Sequence, residues 1–177
     1  MALQKWAVDV AHSSVDFSIK HMMIATVKGA FHQFSADVEA DVNDLTTANI
    51  GFSVNVASID TRNGDRDNHL RSGDFFDAEN HPEMTFRSTS VKKTGDGEYD
   101  VTGDLTIRGT TKPATFAVTY EGSGKDPWGN EKVGFSVKGT ILRSDYGLTW
   151  NAALETGGVL VGDSVKITLD IEATKEA

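Results

Sequence analysis

The chain has 177 residues, a formal net charge of −9 from 17 basic and 26 acidic side chains, and no cysteine. That length suits one domain, 1–177, with a sizeable core, and the acidic balance excludes a polyanionic nucleic acid as an expected partner. The missing cysteines exclude disulfides, thiolate metal sites and cysteine nucleophiles.

The N-terminal stretch MALQKWAVDVAHSS has no charged start followed by an apolar run, so no signal peptide is expected. No apolar stretch approaches the ~18 residues that span a bilayer. The expectation is a cytoplasmic chain without a transmembrane segment. Period-two alternation then dominates. Val15, Phe17, Ile19 and His21 share one face of a first strand, with Asp16, Ser18 and Lys20 on the other. In Val27 to Val42 the apolar parity flips at His32-Gln33, from Val27, Gly29 and Phe31 to Phe34, Ala36, Val38, Ala40 and Val42. A β-bulge produces such a flip and bends the strand. At ~3.3 Å per residue the whole run spans roughly 50 Å, long enough to require strong curling. Ile50, Phe52, Val54 and Val56 predict the next strand.

Ser58 to Pro82, SIDTRNGDRDNHLRSGDFFDAENHP, interrupts the alternation. An insertion this long between strands is uncommon and often functional. Residues 65–72 predict a short helix with Asn63 or Asp65 as N-cap and Asp67–Arg71 as an (i, i+4) pair, anchored by Leu70, Phe75 and Phe76. Strands resume at Tyr99 to Ile107, after the hairpin turn Thr94-Gly95-Asp96-Gly97. Ala114 to Tyr120, Val133 to Ile141 and Val165 to Ile171 follow, with breakers at Gly122 to Asn130 and at Thr156-Gly157-Gly158. The class is all-β: a single antiparallel domain of about eight strands, which favours a closed barrel, with a sandwich as the rival.

The interrupting segment has two readings. It is either a plug closing one barrel end, its charges solvated or paired with one another, or a head-group site. In the second reading Arg62, Arg66, His69 and Arg71 receive a polar or anionic ligand end. Histidines 12, 21, 32, 69 and 81 show no HxxxH or HxH spacing, so no metal site is expected, and His21 reads as a hydrogen-bonded core or mouth residue. No Gly-x-Ser-x-Gly elbow is present, and His12, Ser13 and Ser14 point to alternate faces of a strand. No catalytic residues are expected. Phe17, Phe31, Phe34, Phe52, Phe86, Phe116 and Phe135 hold inward parity, mixed with Gly29, Ala36, Ala40, Gly103, Ala114 and Gly139. Such a mixture gives a filled core or an elongated aromatic-lined cavity for an apolar ligand.

Trp6…His12-Ser13-Ser14-Val15-x-Phe17-Ser18-Ile19-Lys20-His21 resembles the opening of the YceI-like proteins. So do Val27-Lys28-Gly29-x-Phe31, Ser58-Ile59-Asp60-Thr61, Arg66-Asp67-x-His69-Leu70-Arg71 and Phe75-Phe76-Asp77. Gly103-x-Leu105-Thr106-Ile107-Arg108-Gly109-x-Thr111-Lys112 and Arg143-Ser144-Asp145-Tyr146-Gly147-Leu148 extend the resemblance over nearly the whole chain. It implies a lipocalin-like eight-stranded barrel whose tunnel holds a polyisoprenoid, an isoprenoid quinone or a related amphiphilic lipid, with no other cofactor. It also implies a homodimer, and many relatives are periplasmic. Together these features predict non-enzymatic binding, for transport or storage. Phe17, Ile19, His21, Phe31 and Phe34 are expected ligand contacts, with Phe52, Val54, Phe86 and Phe116. Arg62, Arg66, His69 and Arg71 are expected at the mouth. The alternatives are an enzyme acting on an isoprenoid, with His21 or His69 as acid–base, and a stress-response module whose filled barrel binds another protein.

Overall fold

A computed structural model of the protein describes residues 3–154 and 159–176; the breaker read at Thr156-Gly157-Gly158 lies outside them. The first strands are β1 (Gln4–Val8), β2 (Ser14–His21), β3 (Ala25–Phe31), β4 (Phe34–Asp41), β5 (Asp44–Asn55) and the two-residue β6 (Ile59–Asp60). Helix α1 (Gly64–Arg71) precedes β7 (Glu83–Gly95), β8 (Glu98–Ile107), β9 (Thr110–Lys125), β10 (Glu131–Leu142) and β11 (Val161–Lys175). All pairings between these strands are antiparallel. The order β1-β4-β5-β7-β8-β9-β10-β11 closes on itself because β11 also pairs with β1. The result is a closed eight-stranded antiparallel barrel.

Two barrel strands are broken in the middle. β11 pairs with β2 from Val161↔His21 to Asp170↔Ser14, and then with β1 from Val8↔Ala173 to Trp6↔Lys175. β1 and β2 therefore form one barrel strand, interrupted by a 3-10 turn at Val10–His12. Beside them β3 and β4 form a second, broken at His32-Gln33, where the apolar parity flips. The strand β1 was not legible in the alternation, yet its Trp6 is 5 % exposed and donates its indole N–H to Ala40 O at 3.3 Å. The expected loop at Gly122 to Asn130 is shorter than read. The β9–β10 ladder continues to Glu131↔Lys125, and a bulge at Gly134/Phe135 absorbs the glycine-rich residues. Only Asp126 to Asn130 turn, with Asp126 Oδ1 accepting from Trp128 N and Asn130 N.

Asp9 fixes the first interruption. Its carboxylate caps the turn at Ala11 N and meets His12 Nδ1 at 2.7 Å, while Glu172 Oε2 lies 3.2 Å from the same nitrogen. The Asp9 hydrogen bond raises the His12 pKa above its ordinary value and His12 lowers that of Asp9. The imidazolium contribution is complete below the unfolded histidine pKa and fades as pH rises through the raised folded one. The carboxylate contribution is present above the unfolded aspartate pKa and fades as pH falls through the lowered folded one. In an NMR titration His12 is expected to have a midpoint above ~6.5, moving back toward that value in Asp9→Asn. An unshifted midpoint in the native protein would remove the clamp.

Ser58 to Pro82 closes one end of the barrel. Asn63 is the N-cap of α1, its side chain accepting from Arg66 N, and Ser72 is the C-cap. The expected Asp67–Arg71 pair does not form. Asp67 is 6 % exposed and accepts from Thr61 N at 2.9 Å and from the Thr61 hydroxyl, while Arg71 donates to Ala57 O, Ile59 O and Asn68 Oδ1. Buried carbonyls and amides demand partners more strictly than two exposed charges demand each other. Leu70, Phe75 and Phe76 all face the barrel interior, as expected of anchors. No helix among the described residues is long and apolar enough to cross a membrane.

Candidate ligand cavity

A continuous cavity of about 450 Å³ runs the length of the barrel, from Trp6, Leu45 and Ala173 at one end to Arg66, His69 and Trp150 at the other. That volume falls within the ~300–1,000 Å³ typical of small-molecule sites. Every barrel strand contributes its inward face, and the wall is almost wholly hydrocarbon. Phe17, Ile19, Phe52, Phe86, Val137 and Ile167 point inward yet are only half-buried, so this interior is hollow. A filled barrel would bury them as completely as Val56 and Ile59, each 1 % exposed.

Glycines on the wall help keep the lumen open. A Cβ added at Gly29 would stand under 3.0 Å from the Phe17 ring, one at Gly103 from Phe86, and one at Gly139 from Phe116. Each phenylalanine therefore lies over a neighbouring strand's bare backbone instead of projecting across the barrel. The rings also support one another: Phe17–Phe31 centroids are 5.4 Å apart, Phe86–Phe116 5.5 Å and Tyr120–Phe135 5.4 Å.

Of the residues expected to touch a ligand, Phe17, Ile19, His21, Phe31, Phe52 and Val54 line the cavity, as do Phe86, Phe116, Arg66 and His69. Phe34 stands off the wall; it follows the break at His32-Gln33, and its ring stacks on Phe52 at 5.7 Å. Arg62 and Arg71 are off the wall as well. Arg62 is exposed in left-handed backbone, φ 64°, with its N–H on Asp60 Oδ1, and Arg71 braces the β6 backbone. Arg66 donates Nε to Thr61 Oγ1 at 2.8 Å and Nη2 to Thr61 O at 2.7 Å. Among the described residues no salt bridge joins these three arginines to a carboxylate. The acids instead serve histidines: Asp74 holds His69 Nε2 at 2.9 Å, and Asp60 holds His32 Nε2 at 2.9 Å, which lowers the Asp60 pKa. The His69 ring is wedged edge-on between Phe75, at 5.1 Å, and Trp150, at 4.8 Å.

The sequence reading missed Arg143, Tyr146, Leu148 and Trp150, which complete this end of the wall. Arg143 is 6 % exposed, its guanidinium donating to Gly162 O, Leu148 O, Trp150 O and Val161 O at 2.6–3.2 Å. Its position continues the inward parity of Val133 to Ile141, so the alternation itself held the signal. Burial lowers the Arg143 pKa, against the nearby Asp163, and raises that of Tyr146.

A family model described as the YceI-like domain matches residues 6–173. A UPF0312 protein of Staphylococcus epidermidis is 45 % identical over 171 residues, covering 96 % of this chain and 97 % of that protein. The crystal structure of Burkholderia cenocepacia BcnA superposes with a TM-score of 0.82 at 30 % identity, covering 93 % and 98 % of the two chains. A polyisoprenoid binding domain from Saccharophagus degradans, 12 % identical, shares the fold with a TM-score of 0.67 over 98 % and 99 %. The chain belongs to the YceI-like domain family.

Proposed function

We propose that the protein binds a long-chain isoprenoid lipid, an isoprenoid quinone included, inside the barrel, for transport or storage and without catalysis. The observation that carries this reading is the continuous hydrocarbon-walled tunnel, with half-buried aromatic side chains facing it. The fold shared with a polyisoprenoid binding domain supports it. Burying hydrocarbon contributes ~0.8 kcal/mol per CH₂, so a few isoprene units exceed the ~8 kcal/mol of a micromolar complex, association costs reducing the surplus. Arg66 and His69 line the α1 end of the cavity as polar side chains that a head group would meet.

Tryptophans provide the readout. Trp6 and Trp150 line opposite ends of the cavity, whereas Trp128 is 83 % exposed outside it. In a Trp128→Phe background, an isoprenoid quinone is expected to quench the remaining fluorescence saturably, and a tail-less quinone at the same concentration is not. Equal, unsaturable quenching by both contradicts the proposal. The His69–Asp74 contact on the wall favours a second reading, an enzyme using His69 as acid–base. That reading requires turnover lost in His69→Ala while uptake persists.

A further inference from the structure

The β2–β3 turn is built unlike a solvent-facing hairpin. Its central residues Met22 and Met23 have φ of 53° and 62°, and Ile24 N–H closes the turn on His21 O at 3.2 Å. Turns of this hand favour Asn-Gly or Asp-Gly, because left-handed backbone strains residues that carry a Cβ. The β8–β9 turn, which has the same hand with φ of 48° at Arg108 and 75° at Gly109, does place a glycine at one of its two central positions. At the β2–β3 turn strain coincides with apolar exposure: Met22, Met23 and Ile24 are 41 %, 62 % and 82 % exposed. Strained backbone carrying consecutive exposed aliphatics points to a function for the tip.

Two further observations say what the tip meets. It is continuous with the cavity wall, since His21, Leu160 and Val161 line the cavity and Met22 N–H donates to Leu160 O at 2.8 Å. Behind it, on a chain of net charge −9, three lysines lie on neighbouring strands. Lys166, Ser18 and Lys28 lie abreast on β11, β2 and β3, with Lys20 closer to the tip, and all three lysines are exposed. The neighbouring Asp163 accepts hydrogen bonds from Ser144 N and Oγ.

We propose that the Met22–Ile24 tip docks the barrel on an anionic lipid bilayer. Its three side chains enter the interfacial layer and Lys20, Lys28 and Lys166 rest on the phosphates, bringing the α1 end of the cavity against the acyl chains. Apolar insertion and cationic attraction reinforce one another in such contacts, each lysine adding about fivefold in affinity near an anionic surface. The inference rests on the proposed lipid-binding function, for which the tip supplies the site of exchange.

The test is flotation of the full chain with phosphatidylcholine vesicles, with and without phosphatidylglycerol, beside the quinone-quenching assay and a melting curve for each variant. The protein is expected to float with the anionic vesicles and to be released by salt. Met23→Asp/Ile24→Asp is expected to weaken flotation at least tenfold, and Lys20→Glu/Lys28→Glu to weaken it about tenfold or more and flatten its salt dependence. Both variants are expected to keep saturable quenching and an unchanged melting temperature. No flotation of the native protein, or undiminished flotation of Met23→Asp/Ile24→Asp, overturns the docking proposal while leaving lipid binding intact. Loss of a native dimer in that variant, without native flotation, overturns it in favour of a second copy at the tip. Flotation without saturable quenching leaves the docking surface standing and defeats the lipid-binding reading instead.

Discussion

Arg143→Ala is expected to lower the melting temperature by about 10 °C and to loosen the α1 end of the barrel before the rest unfolds. The guanidinium ties four carbonyls from two separate segments, Leu148 and Trp150 on one side and Val161 and Gly162 on the other. It also lies 5.9 Å from the centroid of the Phe75 ring, one of the anchors of the plug. Removing it leaves buried acceptors without donors, each costing roughly 1–3 kcal/mol, and water entering the gap recovers part of that. A net loss of about 3 kcal/mol corresponds to about 10 °C for a domain of this size. Lysine is expected to recover only a fraction, because one ammonium lacks the planar fork that reaches several carbonyls at once. Calorimetry on Arg143→Ala and Arg143→Lys measures this, with hydrogen exchange locating the loosened amides. A melting temperature within 2 °C of the native value in Arg143→Ala would contradict the structural role given to this residue.

Val137→Trp is expected to block the tunnel while sparing the fold. Val137 lies mid-strand on β10, opposite Leu169 and Val118, and it is half-buried on the cavity wall, so an indole there extends into open lumen. An isoprene unit displaced from the wall forfeits about 3–4 kcal/mol at ~0.8 kcal/mol per CH₂, or two to three orders of magnitude in Kd. Quinone titration of this variant is expected to show that loss with melting within a few degrees of the native value. Unchanged affinity would place the ligand outside the barrel.

The contrast between these residues shows what was readable in the sequence. Val137 was legible, because strand alternation reports a side chain's face one residue at a time. The break at His32-Gln33 was legible for the same reason, as an inversion of parity, although it separates β3 from β4 where a bulge was expected. Asn63 was legible as one of two candidate caps from local chemistry, with Asp65 the other. Strand β1 was not, because five residues with Trp6 and Val8 as the inward pair carry too little alternation to stand out. The partners of Arg66 and Arg71 were not legible because most are backbone carbonyls, which every residue carries and no side-chain pattern announces. Arg71 meets Ala57 O and Ile59 O, and Arg66 meets Thr61 O. Trp150 had no signal, since it lies in an irregular stretch that reaches the cavity only through the fold. The hollow interior itself depends on three phenylalanine–glycine contacts between neighbouring strands, and pairing register is a property of the closed barrel.

An isoprenoid chain held in the barrel would be carried through purification, and mass spectrometry of an organic extract of the purified protein reads it out without any added ligand. The expected result is a reproducible prenyl lipid or isoprenoid quinone near one per barrel, greatly reduced in Val137→Trp prepared in parallel. Protein that is reproducibly lipid-free, and that also fails to take up a labelled prenyl lipid, would contradict it.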